Sequence, residues 1–118
     1  MDYNVVVLSG HLSAPIELNR YPSGAQALRF LVTLRTEDPV RRIDVLPVVW
    51  WDPPTDIDLD TPLGTRTWVS AVVRRRFWAA EDGRRSRLEL VASQVQFDDD
   101  DLAPFTIEDL LRGESEQA

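Results

Sequence analysis

Hydrophobic and polar residues alternate along the chain in segments that are each long enough for one β-strand. Leu28, Phe30, Val32 and Leu34 share one side of residues 27–35, and Arg29 and Arg35 lie on the other side. A two-residue period or a short apolar run also marks residues 3–12, 43–51, 68–78 and 87–97. Successive side chains of a strand point to opposite faces, so these segments predict five strands around one core.

The segments between these strands are rich in turn residues, and none of them predicts a long helix. Residues 21–24 (Tyr-Pro-Ser-Gly) and 81–83 (Glu-Asp-Gly) are strong turn signals, and residues 52–63 contain three prolines. Gly10, within the first strand, indicates a bulge or a close backbone approach. Trp50 and Trp51 must face opposite sides, and we expect Trp50 and Trp68 in the core or a subunit interface. The pattern favours an all-β barrel or sandwich.

Length and composition limit the classes of function. The chain has 118 residues and no cysteine, which fits one domain without disulfides or thiolate chemistry. The single His11 has no partner for metal binding or catalysis, and no phosphate-binding loop is present. We therefore expect no enzyme activity, no metal and no cofactor. No apolar run reaches the length of a membrane span and no signal peptide is evident, so the cytoplasm is the expected location.

The net charge of −7 is unevenly distributed. Residues 1–97 contain 12 Arg and 12 acidic residues, whereas residues 98–118 contain eight acidic residues and one Arg. The predicted strand domain (residues 1–97) is thus neutral, and the excess negative charge lies in a C-terminal tail (residues 98–118). An acidic protein of this kind can still bind nucleic acid through its strand domain.

The segment Arg74-Arg75-Arg76-Phe77-Trp78 is the strongest candidate for chemistry. It lies at the end of a predicted strand that turns at residues 81–83 into the next one, forming a hairpin. Strand alternation places Arg74, Arg76 and Trp78 on one face. Guanidinium groups beside an exposed indole suit a flexible polyanion with flat bases. The alternative is an Arg-rich hairpin whose Trp packs on the core.

The ordered series of motifs resembles the bacterial single-stranded DNA-binding proteins, which have an OB-fold. The resemblance covers nearly all of residues 3–97. Its matching stretches are residues 4–12 (Asn-Val-Val-Val-Leu-Ser-Gly-His-Leu), 20–24 (Arg-Tyr-Pro-Ser-Gly), 45–51 (Val-Leu-Pro-Val-Val-Trp-Trp), 63–71 (Leu-Gly-Thr-Arg-Thr-Trp-Val-Ser-Ala), 74–78 with Asp82-Gly83, and 93–97 (Ser-Gln-Val-Gln-Phe). It implies a five-stranded OB-fold barrel with a long protruding hairpin, followed by a short acidic and helical C-terminal extension.

The resemblance also implies a set of binding residues. Trp78 and Trp51 occupy positions where the family stacks bases, and Arg74 and Arg76 match basic positions on the same hairpin. The remaining candidate nucleic-acid contacts are Arg20, Arg29, Arg35 and Arg84, although Arg29 and Arg35 fit solvated surface charges equally well. Two further stacking positions of the family fall near Val45 and Asp38, where this chain has no aromatic residue. These losses would weaken binding and fit a divergent, weaker or specialised paralogue.

The acidic tail resembles the family's partner-recruiting tip. The matching residues are Asp98, Asp99, Asp100, Asp101, Pro104 and Phe105. In the family a long linker precedes the tip and the final Phe ends the chain, whereas here the tip follows the strands directly and 13 residues follow Phe105. Residues 106–113 predict a short helix. The tail could recruit replication and repair proteins, dock on its own barrel as a competitor for DNA, or be a solvated segment.

The sequence therefore leads to two hypotheses. The first is sequence-tolerant binding of single-stranded DNA in replication, repair or recombination, in the cytoplasm with the nucleoid. The second is an OB-fold adaptor of the replication or recombination machinery whose DNA binding is reduced or lost. The resemblance further implies a homodimer or homotetramer.

Overall fold

The computed structural model describes residues 1–98, and these residues form six β-strands. Their bounds are β1 (Val6–Leu12), β2 (Glu17–Arg20), β3 (Gln26–Thr36), β4 (Arg42–Trp51), β5 (Arg66–Ala80) and β6 (Gly83–Phe97). The prediction of five strands is wrong by one. The additional strand is β2, which pairs with β3 through Glu17↔Arg29 and Leu18↔Leu28. Four residues give too short a pattern to distinguish a strand from an extended loop.

The strands form one sheet that closes in a ring. Their order is β1-β5-β6-β4-β3-β2, and a further pairing between β1 and β3 completes the ring. This closing pairing is short, with His11 opposite Thr33 and Leu12 opposite Val32. The β4–β6 pairing is parallel and limited to Val48↔Leu90 and Val49↔Val91, whereas the other pairings are antiparallel. The all-β prediction is confirmed for residues 1–98.

The core fills the inside of the ring. Leu28, Phe30 and Val32 of β3 are buried there, as the alternation predicts, and Val69 of β5 is fully buried beside them. Trp50 packs against this cluster, in agreement with its expected core position. Trp68 is half-buried and opposite Ser9 of β1, on the side facing away from Val69. Of the two tryptophans expected in the core or a subunit interface, Trp50 therefore packs on the core and Trp68 lies on the outer side of the ring.

Gly10 is required where β1 passes close to β3. A Cβ atom at this position would lie 2.8 Å from Leu34 Cδ2 and from Val32 Cγ1, which is closer than carbon atoms approach. The sequence left a bulge or a close approach open. The structure shows the close approach, at the junction where the ring closes.

Residues 52–65 connect β4 to β5 without a helix, and the prolines of residues 52–63 predict that no long helix forms there. Ile57 is the anchor of this loop, because it packs against the core cluster while its neighbours are exposed. Asp58 organises the next turn, accepting a hydrogen bond from the Asp60 backbone N–H at 2.9 Å. The loop therefore covers one part of the core with a single aliphatic side chain.

The hairpin of β5 and β6 extends beyond the ring. Asn4 marks the point of departure: its side-chain amide donates to the Val73 carbonyl and its oxygen accepts from the Val73 N–H, both at 2.8 Å. Beyond Val73, residues 74–79 and 81–88 are exposed. None of the residues described lies in a helix long and apolar enough to cross a membrane.

Candidate nucleic-acid interface

The protruding hairpin has two faces of different composition. Its register pairs Arg74 with Glu89, Arg76 with Arg87 and Trp78 with Arg85, and these six residues form the outer hairpin face. The inner hairpin face continues from the core side of β5 and consists of Arg75, Phe77, Ala79, Arg84, Ser86 and Leu88. The structure thus brings Arg74, Arg76 and Trp78 together on one face, as the alternation predicts.

Trp78 stands on the outer hairpin face and does not belong to the core cluster. Its side chain is 41% exposed, and the Arg87 guanidinium carbon lies 5.8 Å from the ring centroid. This geometry disagrees with the alternative in which Trp78 packs on the core. A ring held between a cation and solvent has a free edge and face for a stacked base.

Glu89 neutralises part of the charge on this face. Its carboxylate accepts from Arg76 at 3.3 Å and from Arg87 at 3.4 Å, and its side chain is only 15% exposed. Arg85 forms an ion pair with Asp82 in the turn. Arg74 makes no ion pair with the residues described, so it is the most available phosphate ligand on this face.

Trp51 forms a second aromatic platform at the end of β4. It is 44% exposed, and its ring centroid lies 5.6 Å from that of Tyr21 at an interplanar angle of 36°. Asp52 ends the strand in a left-handed conformation (φ 47°) and is tied to Gln26, whose backbone N–H donates to the Asp52 carboxylate at 3.0 Å. These contacts hold Trp51 in place against β3.

Tyr21 is a site residue that the sequence analysis did not identify. It lies in the predicted turn before β3, and its backbone N–H donates to the Ala25 carbonyl. The register places Ala27 opposite Trp51, so an aromatic residue in this turn comes close to the end of β4. The signal was therefore present in the sequence, but it depended on knowing the β3–β4 register.

A groove of about 310 Å³ lies between the two platforms. It opens where β6 leaves β4, and its lining includes Arg29, Pro47, Val49, Arg87 and Glu89. Arg29 is opposite Val49 on one side and Glu17 on the other, so this cation lies beside an acidic neighbour. The groove combines an apolar floor with two arginines and two glutamates, so a base could contact the floor while a phosphate would compete with Glu17 and Glu89 for the arginines.

The two tryptophans are too far apart to contact the same base. Val49 of β4 pairs with Val91 of β6, and both strands run in the same direction. Trp51 lies two residues beyond Val49, whereas Trp78 is level with Arg85, which lies six residues before Val91. At the rise of a β-strand this separation is roughly 25 Å along the strand direction. A ligand that contacts both must be an extended chain that crosses the groove.

Three of the predicted nucleic-acid contacts belong neither to the outer hairpin face nor to the groove or the Trp51 platform. Arg35 is opposite Ile43, at the end of β3 far from Trp51. Asn19 is opposite Ala27, which in turn is opposite Trp51, so these residues share one face of the sheet. Arg20 follows Asn19 in β2 and therefore lies on the other face, away from Trp51 and its neighbour Tyr21. Arg84 lies on the inner hairpin face, where its guanidinium carbon is 4.6 Å from the Phe77 ring centroid.

The acidic tail begins directly after β6, at the end of this strand that is opposite to the hairpin turn. The Asp98 backbone N–H donates to the Arg66 carbonyl at 2.9 Å, which continues the edge of β6 by one residue. The other tail residues predicted to recruit partners lie outside the described residues: Asp99, Asp100, Asp101, Pro104 and Phe105. The short helix predicted for residues 106–113 lies outside them as well.

Residues 1–98 contain no group of three or more His, Cys, Asp or Glu side chains placed to hold a metal ion. No protein-family model matches the chain, and a search of curated proteins finds no match. The chemistry of the interface must therefore be judged from its own residues.

Proposed function

We propose that this protein binds single-stranded DNA without sequence preference, through the outer side of a ring that we infer to be an OB-fold barrel. The observation that carries the proposal is Trp78, an exposed indole on a protruding hairpin, flanked by Arg74, Arg76 and Arg87. Bases stack on aromatic rings regardless of their identity, and arginines neutralise phosphates, so this combination gives binding without base readout.

The groove gives the proposed ligand a path. A single strand that stacks on Trp78 would cross the groove past Arg87 and Arg29 and reach the Trp51–Tyr21 pair. The platforms are roughly 25 Å apart, a distance that a single strand of the 4–16 nucleotides bound by one OB-fold can span. Each stacked base contributes about 1–3 kcal/mol.

The same surface argues for weak rather than tight binding. The carboxylates of Glu89 and Glu17 lie among the arginines, and a phosphate must compete with them. At the two positions where stacking residues are expected to be lost, Val45 and Asp38 are exposed and offer no ring. Affinity should therefore require more than one contact, and it should fall as salt increases.

The biological setting follows from this proposal. A sequence-tolerant single-strand binder acts in DNA replication, repair or recombination, in the cytoplasm with the nucleoid, and we propose a homodimer or homotetramer as the working form. The acidic tail remains a proposed recruiter of replication or repair proteins.

One observation favours the second candidate, an OB-fold protein–protein adaptor. Ile43 and Val45 are exposed on the same outer side as Trp51, opposite Arg35 and Thr33. Exposed aliphatic side chains are more typical of a protein contact than of base stacking.

The deciding experiment is a titration of the full chain with a poly(dT) oligonucleotide of about 35 nucleotides, long enough for more than one site. Intrinsic tryptophan fluorescence is followed at low and at high salt. We expect quenching that weakens as salt increases, because binding releases counterions from the phosphates. A folded protein that shows no quenching at either salt concentration would leave the adaptor as the better candidate.

A further inference from the structure

The inner hairpin face carries two large exposed apolar side chains. Phe77 is 51% exposed and Leu88 is 59% exposed, although strand alternation places both on the same face of the sheet as the buried Val69 and Ala71. Both residues lie in the part of the hairpin that extends beyond the ring, so the core does not reach them. An exposed ring and an exposed aliphatic side chain on one face indicate a contact with another molecule.

The charge of this face differs from that of the outer hairpin face. Its cations are Arg75 and Arg84, and its six residues include no carboxylate. Arg75 donates to the Ser86 hydroxyl at 3.1 Å, and Arg84 lies over the Phe77 ring. On the outer face, by contrast, Glu89 binds two arginines. The inner face therefore has positive charge that no acidic residue of the same face offsets.

The two faces meet at the tip of the hairpin. An open cavity of about 470 Å³ there is lined by both rings, Phe77 and Trp78, together with Ala79, Ala80, Gly83 and Arg84. The small side chains beyond the rings leave the space around the tip free. A flexible chain could therefore contact the rings on both sides of the hairpin.

We propose that the hairpin binds single-stranded nucleic acid on both faces, with Phe77 and Arg84 as a second stacking platform beside Trp78. This inference rests on the proposed function and adds a site to it. A polyanion with flat bases matches an aromatic ring flanked by two uncompensated arginines better than an apolar partner does. The arginine already above the ring can turn to a phosphate while a base takes its place.

The test compares four variants of the full chain by fluorescence anisotropy, using a labelled poly(dT) of about 35 nucleotides. Phe77→Leu keeps an apolar side chain but removes the ring, and Arg84→Gln removes the charge. Trp78→Leu reports on the outer face. Tyr3→Leu is the matched control, because it removes an exposed ring outside the strands. Sedimentation velocity on the same samples follows self-association.

Phe77→Leu should weaken binding by roughly fivefold or more, the loss expected from one stacked base, and Arg84→Gln should reduce the salt dependence. Tyr3→Leu should bind as the wild type does. If Trp78→Leu weakens binding while Phe77→Leu does not, the second platform is refuted and the proposed function stands. The same holds if Phe77→Leu changes only self-association. If the wild type itself binds no oligonucleotide, both proposals fail.

Discussion

Strands β5 and β6 pass through two environments, and the comparison separates the stability of the protein from its proposed binding. Within the ring, Thr67, Val69 and Ala71 of β5 are buried, and their size is fixed by the neighbouring strands. Beyond Val73 the same strand carries three arginines, a Phe and a Trp that are exposed and outside the core cluster. Burial explains the first half of the strand. For the second half we propose a ligand as the explanation.

The two halves still depend on each other physically. An isolated two-stranded hairpin is only marginally stable in water. This hairpin continues strands that are held in the ring, and Asn4 fixes the Val73 backbone where it leaves. The ring therefore provides a rigid base for exposed side chains that contribute little to folding.

The largest expected effect distinguishes the two halves by stability. Leu28→Ala in the ring should lower the free energy of unfolding by about 2–5 kcal/mol, because it leaves a cavity at a fully buried position. The identical change at the hairpin, Leu88→Ala, should alter it by less than about 0.5 kcal/mol. Urea unfolding followed by circular dichroism measures both. Equal losses at the two positions would show that the hairpin is part of the core.

The next effect concerns the two tryptophan platforms. Trp51→Ala and Trp78→Ala should each weaken binding of a long oligonucleotide by about 1–3 kcal/mol. Their effects should add in the double variant, since the side chains lie roughly 25 Å apart and share no neighbour. Anisotropy titrations of the three variants measure this. Strong non-additivity would mean that the two sites are not bound by one extended strand.

A smaller effect should have the opposite sign. Glu89→Gln removes the carboxylate that holds Arg76 and Arg87, so binding should tighten by up to about fivefold, the range expected for half-exposed ion pairs. The slope of the logarithm of the binding constant against the logarithm of the salt concentration should become steeper by about 0.7 for each arginine that is freed to contact a phosphate. Weaker binding in this variant would show that Glu89 positions the arginines for the ligand instead of competing with it.

The smallest effect compares two exposed arginines. Arg74→Gln should reduce the slope of the logarithm of the binding constant against the logarithm of the salt concentration by about 0.7, the value for one phosphate contact with a single strand. Arg20→Gln removes the same charge on the other side of the sheet and should leave the slope unchanged. Identical slopes for the two variants would mean that overall charge, and not the outer hairpin face, determines binding.

Much of this arrangement could be predicted from local pattern. The period of two residues placed Leu28, Phe30 and Val32 in the core and put Arg74, Arg76 and Trp78 on one face, since both depend only on strand alternation. The short strand β2 was missed, because four residues give too little pattern. Tyr21 and Glu89 were missed as site residues because their contacts, with Trp51 and with Arg76, depend on register between strands. That register is set jointly by the hydrophobic patterns of the paired strands and the turn between them, so the pattern of one strand alone does not show it.

The most direct test of the central claim measures stability and binding in one hairpin variant. Arg74→Gln, Arg76→Gln and Trp78→Leu are combined in the full chain, and poly(dT) affinity at two salt concentrations is compared with the urea unfolding free energy. We predict that binding is lost or becomes nearly independent of salt while the unfolding free energy stays within about 1 kcal/mol of the wild type, as expected for exposed positions. Unchanged binding in a folded variant would contradict the assignment of the protruding hairpin as the nucleic-acid interface.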